Sequence, residues 1–144
     1  MTPYWRPPQE RPMTKIHSLI VAACATALSS LAMAGGSVHF VEPVDGASVA
    51  QEFTVKMGVE GIKVQPAGAL MEGTGHHHLI INGKPVAAGV AVPADDTHLH
   101  FGKGQTETTL KLMPGQHTLT LQFADGLHQS YGPDMSRTIT ITVK

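Results

Sequence analysis

The chain has 144 residues, 42% of them apolar, and carries nine His but one Cys. Ten Lys plus Arg stand against eleven Asp plus Glu, a net charge of −1 with no basic stripe, which speaks against nucleic acid as a partner. A single Cys excludes an internal disulfide and any Cys-rich metal cluster.

The first third of the chain reads as an address. Arg6, Arg11 and Lys15 precede an apolar stretch over residues 19–31, and Ala32-Met33-Ala34 supplies the small-x-small pattern of a signal-peptidase site. The expectation is a cleaved signal peptide over residues 1–34, a single mature domain over residues 35–144, and a periplasmic or secreted location. The apolar run is too short, and too rich in Ala and Ser, for a membrane span of about 20 strongly apolar residues. Met13 followed by Thr14 and Lys15 would make a more ordinary leader start than Met1. Val21-Ala22-Ala23-Cys24 loosely resembles a lipobox, so a lipid anchor at Cys24 is the alternative to ordinary cleavage. With ordinary cleavage the mature chain keeps no Cys, and any metal must use His, carboxylate, Met or backbone oxygen.

The mature part alternates with period two. Residues 38–41, 52–59, 76–81, 99–101, 106–112, 116–123 and 136–144 read as strands, the last with Ile139, Ile141 and Val143 set against Thr138, Thr140 and Thr142. Between them fall turn signals: Pro43-Val44-Asp45-Gly46, Pro66-Ala67-Gly68, Pro114-Gly115, Ala124-Asp125-Gly126 and Gly132-Pro133-Asp134. Asn82-Gly83 predicts a two-residue hairpin with Ile80 opposite Pro85. About seven short strands at this spacing predict an all-β, immunoglobulin-like two-sheet sandwich. Phe40, Phe53, Phe101, Phe123 and Tyr131 are too few, and too core-like, for a stacking platform.

The histidines pose a metal or proton question. Residues two apart on a strand share a face, so His98 and His100 point one way while Leu99 and Phe101 take the core. By the same rule His77 sides with Leu79 and Ile81, leaving His76 and His78 as an exposed pair. Two His-x-His pairs offer enough imidazoles for one ion, so the candidate metal ligands are His76, His78, His98 and His100, for copper or zinc. His77, His128, Asp95, Asp96 and Glu107 are secondary candidates, as ligands or as acceptors that fix imidazole tautomers. The blander reading is a polar sheet face whose histidines bond backbone and carboxylate without metal. His117 extends the apolar face of Leu119 and Leu121 and reads as a satisfied, partly buried side chain, and His128 sits in a turn and suits either role. Met57, Met71, Met113 and Met135 read as gap-filling residues before thioether ligands.

No nucleophile elbow, zinc-protease helix or phosphate loop is present, and Lys103 between glycines lacks the rest of a phosphate-loop pattern. The expected first mature residue is Gly35, not the His that a histidine-brace copper enzyme requires. Binding is therefore expected before catalysis; the one catalytic route left is a metal-bound water with His78, His98 and His100 as ligands.

Gly75-His76-His77-His78-Leu79, the run His98-Leu99-His100-Phe101-Gly102-Lys103-Gly104-Gln105-Thr106-Glu107 with Pro93 to Thr97 before it, and Pro114-Gly115-Gln116-His117-Thr118-Leu119 continuing to Asp125 resemble an exported bacterial family, domain of unknown function 4399. The resemblance covers essentially residues 35–144 and implies an exported bacterial β domain. It assigns no residue a role. Gly-x-x-His before Asn-Gly, then Pro-Gly-x-His-Thr-Leu, is more loosely similar to cupredoxin-like sandwiches, whose blue-copper function needs the Cys that is missing here. Two functions follow: a metal-binding domain of the cell envelope for buffering or delivery, or an immunoglobulin-like interaction module. In the second, His76, His77, His78, His98 and His100 form a pH-sensitive surface for an envelope protein partner.

Overall fold

Period-two patterning becomes strand wherever it was expected. The computed structural model describes residues 35–144; the expected leader, Cys24 and the choice between Met1 and Met13 lie outside the described residues. In chain order the strands are β1 (Ser37–Glu42), β2 (Ser48–Val49), β3 (Glu52–Glu60), β4 (Lys63–Val64), β5 (Thr74–Ile81), β6 (His98–His100), β7 (Glu107–Lys111), β8 (Gly115–Ala124) and β9 (Ser136–Val143). A short 3-10 turn, Pro133–Met135, leads into β9.

Two sheets form. One has three strands in the order β1-β3-β7, both pairs antiparallel. The other runs β2-β9-β8-β5, and the far edge of β5 is shared: β4 pairs in parallel with Thr74 and Gly75, and β6 pairs antiparallel with His78, Leu79 and Ile80. The fold is the expected all-β sandwich. Val38, Val55, Met57 and Leu110 of the smaller sheet share one core with Leu79, Leu119, Leu121, Phe123, Ile139, Ile141 and Val143 of the larger. Each such Leu, Ile or Phe contributes about 1.5–3 kcal/mol by leaving water.

The inner face does not account for all the burial. On β9 only the apolar alternates are buried, whereas β5 is buried from Thr74 to Ile80 and β8 from Leu119 to Ala124, on both faces. A roof over the outer face explains this. It is built from residues 83–97 and 125–132, which pair with each other through Gly89 N–H to Ser130 O (2.8 Å), Ser130 N–H to Val90 O (2.9 Å) and Val92 N–H to His128 O (2.9 Å). Gln122 fastens both segments to β8. Its Oε1 accepts from Val86 N–H at 2.9 Å, and its Nε2 donates to Gly132 O at 3.0 Å.

The roof replaces the hairpin expected at Asn82-Gly83. Asn82 does take a positive φ of 55°, but the chain then leaves the sheet. Two interactions compete with the hairpin and win. Asn82 N–H donates to Thr118 O while its Oδ1 accepts from Thr118 N–H, prolonging the β5–β8 ladder, and the other edge of β5 is taken by β6. Pro85 therefore faces no strand partner.

Candidate metal centre

Four histidines converge under the roof. His76, His78, His100 and His128 each offer a ring nitrogen, and the four atoms lie within 4.8 Å of one another. Three segments supply them. His76 and His78 share the outer face of β5, and His100 lies directly opposite His78 on β6. His128 comes from the turn after β8, where it adopts a positive φ of 68°. Asp125 shapes that turn: its Oδ1 accepts from Leu127 N–H (2.8 Å) and Gln129 N–H (3.0 Å), and its carbonyl accepts from His128 N–H (3.0 Å). His100 reaches the group because Gly102 has no side chain; a Cβ there would overlap the His100 ring.

The spacing suits one ion. A tetrahedral site with bonds of about 2.0–2.1 Å sets its nitrogens about 3.3 Å apart. Here His76 Nε2 lies 3.0 Å from His78 Nε2 and 3.2 Å from His128 Nδ1. A neutral ring carries one N–H, so His76 can donate to only one of these two neighbours. A cation at the centre takes all the inward lone pairs together.

Burial keeps His76 and His78 in the ligand form. Desolvation, reinforced by His100 and His128, lowers the His76 pKa to about 4. Desolvation, reinforced by His76 and the other rings, lowers His78 to about 3, and His100 is also lowered, again by desolvation first. Neutral imidazole is the form that binds metal. Among the described residues no carboxylate joins the group. His76 Nδ1 and His78 Nδ1 are buried with no protein partner among the described residues, so hydrogen bonding reaches these two rings only through Nε2.

Beside the group lies an open cavity of about 260 Å³. It is lined by His78, His100 and His128 together with Ala91, Val92, Ala94 and Leu127.

Of the four primary candidates from the sequence, His76, His78 and His100 come together and His98 does not. The β5–β6 register sets His98 opposite Ile80, one side-chain repeat of about 6.7 Å beyond His78. There its Nδ1 pairs with Asp95 Oδ1 at 2.8 Å, and hydrogen bonds from His98 and Thr97 hold the Asp95 carboxyl well below the usual carboxylate range. Asp96 is exposed and outside the group, and Glu107 stands on the other sheet opposite Lys56. His76 and His78, expected exposed, are 0% and 2% exposed, because the roof covers them. His77 faces the core as expected, edge-on to Phe123, with neither ring nitrogen paired and its pKa lowered to about 4 by desolvation. Burial of these three removes them from the expected pH-sensitive surface, while His98 stays partly exposed and His100 exposed. His117 bonds Asn82 and the Met113 carbonyl, the satisfied role expected of it. Met57 and Met135 are core residues.

Comparison with known families adds one decisive match: the profile of a domain of unknown function, DUF4399, covers residues 55–144. The chain belongs to that family. In this DUF4399 chain all four converging histidines, the roof and β5 to β9 lie inside the matched residues, while β1 and β2 precede them. No curated protein and no solved structure matches the chain. Among the described residues no helix is long and apolar enough to cross a membrane.

Proposed function

We propose that this domain binds one divalent transition metal ion, copper or zinc, through His76, His78, His100 and His128, and that it buffers or delivers that metal in the bacterial cell envelope. The observation that carries the reading is the convergence of four imidazoles, from β5, β6 and the turn after β8, within 4.8 Å. Imidazole suits both metals, and four-nitrogen coordination satisfies either. Binding rather than catalysis is the role proposed, since all four imidazoles are used as ligands and none is left to act as a general acid or base.

The electrostatics favour an exchangeable ion. Acceptors on the remote imidazole nitrogen strengthen metal binding by about 10–100-fold, and His76 and His78 have none. A site so built holds metal firmly enough to collect it and loosely enough to pass it on. Placement in the envelope rests on the leader-like residues 1–34.

Metal analysis of the purified protein after equilibration with copper or zinc tests the reading. One equivalent is expected, and a variant with His76, His78, His100 and His128 all changed to Ala is expected to lose it. Equal binding by that variant would overturn the assignment.

A further inference from the structure

The cavity beside the four imidazoles has a composition that a metal-only site does not require. It touches His78, His100 and His128 but not His76, which is fully buried. The rest of its lining is Ala91, Val92, Ala94 and Leu127, so among the described residues imidazoles are the only polar side chains facing it. Backbone donors there are partly spoken for, since Val92 N–H is bonded to His128 O.

Charge then decides what enters. Once bound, four neutral rings leave a divalent ion with its whole formal charge, and among the described residues no carboxylate joins the group. Asp125, whose charge reaches His76, stands outside the ligand group with Oδ1 held by two backbone N–H groups, so it offsets only part of that charge. A charge beside apolar walls is unfavourable unless an opposite charge accompanies it.

We propose that the cavity admits a small monoanion, of azide or short-chain carboxylate size, that coordinates the metal through one atom on the side lined by His78, His100 and His128. The proposal rests on the metal reading above. The anion supplies the missing negative charge, and the Ala91, Val92, Ala94 and Leu127 walls accept the apolar part of a short carboxylate. Walls that offer few hydrogen bonds make displacement of solvent by an apolar group cheap.

The test uses copper(II)-loaded protein whose one-to-one metal content has first been established. Azide is titrated in, and its charge-transfer absorption with copper is followed. A saturable band at one azide per copper, displaced by propionate, is expected. Ala94→Phe, which fills the cavity from an exposed loop position, should weaken azide by roughly tenfold or more while copper stays bound. Ala91→Leu provides a second filling variant, with circular dichroism confirming that each folds. Copper-loaded protein without an azide band, or folded filling variants with unchanged azide affinity, would overturn the anion site and leave the metal reading standing. A protein that takes up no stoichiometric copper or zinc before azide is added would overturn the metal reading itself.

Discussion

His78 and His100 face each other across a non-hydrogen-bonded position of the β5–β6 pair. Phe101 N–H donates to His77 O and Ile81 N–H to Thr97 O, which makes 77/101 and 81/97 the hydrogen-bonded pairs and places 78/100 between them. Side chains at such positions approach most closely, and here the ring centroids are 5.0 Å apart. Strand register alone thus brings two imidazoles from distant sequence positions to one point.

The same register separates His100 from His98. Both lie on one face of β6, but His98 sits opposite Ile80 and is engaged by Asp95. We expect His100→Ala to weaken copper or zinc binding by roughly 100-fold or more and His98→Ala to change it by less than about threefold. Competition against a chromophoric chelator measures both. Equal losses would mean that the ion sits nearer the Asp95 end of β6.

How much of this was legible in the sequence follows the same division between register and irregular chain. The seven longer strands carry their own alternating pattern, so the sandwich could be read directly from residues such as Ile139, Ile141 and Val143. The two-residue strands β2 and β4 are too short to carry one. The outer-face burial of His76 and His78 comes from a roof of irregular backbone, held by Gln122 and by pairing around Ala91 and Gln129, and hydrophobic periodicity does not encode that. His128 was only a secondary candidate for the same reason. Its clue was topological: β8 ends at Ala124 opposite His76, so the turn that follows must pass over the outer face beside that residue.

Acid should destabilise the metal-free protein. His76 and His77 have folded pKa values of about 4 and His78 about 3, all below the 6.5 of an ordinary histidine. Above pH 6.5 the rings are neutral in both states and stability is flat with respect to them. Between 6.5 and about 4 the unfolded chain binds protons that the folded chain refuses, so stability falls with falling pH. Each ring contributes at most about 1.4 kcal/mol per pH unit. Urea unfolding in the presence of chelator at pH 7.5, 6 and 5 reads this directly. His77→Leu should be more stable than the parent at every pH, since it removes two unpaired buried nitrogens, and should flatten the slope. A parent whose unfolding midpoint did not move across this range would contradict the burial of the three rings.

Gln122 should matter to the metal although it touches none of the four histidines through a hydrogen bond. Its amide ties Val86 to Gly132 across β8, so Gln122→Leu leaves Val86 N–H without its partner and Gly132 O with the Met135 N–H alone. Loss of these buried bonds should cost roughly 2–4 kcal/mol of unfolding free energy. Because His128 is carried by the loosened roof, metal affinity should fall as well, and added zinc should recover part of the lost stability by mass action. Thermal melts with and without zinc distinguish this from simple core damage, which would lower the melting temperature and leave the zinc-induced increment intact.

Gly102 provides the sharpest steric test. The His100 ring occupies the space where a side chain at position 102 would project, so Gly102→Ala must push the ring aside or shift the end of β6. The backbone at Gly102 is not in the left-handed region, so the substitution carries no conformational penalty of that kind. Its effect should therefore fall on the ligand rather than on the fold. We expect a change in stability of less than about 1.5 kcal/mol, with metal affinity lowered by roughly tenfold or more. Affinity unchanged in a folded Gly102→Ala variant would show that His100 has a second way to reach the ion, and that the glycine is there for the turn alone.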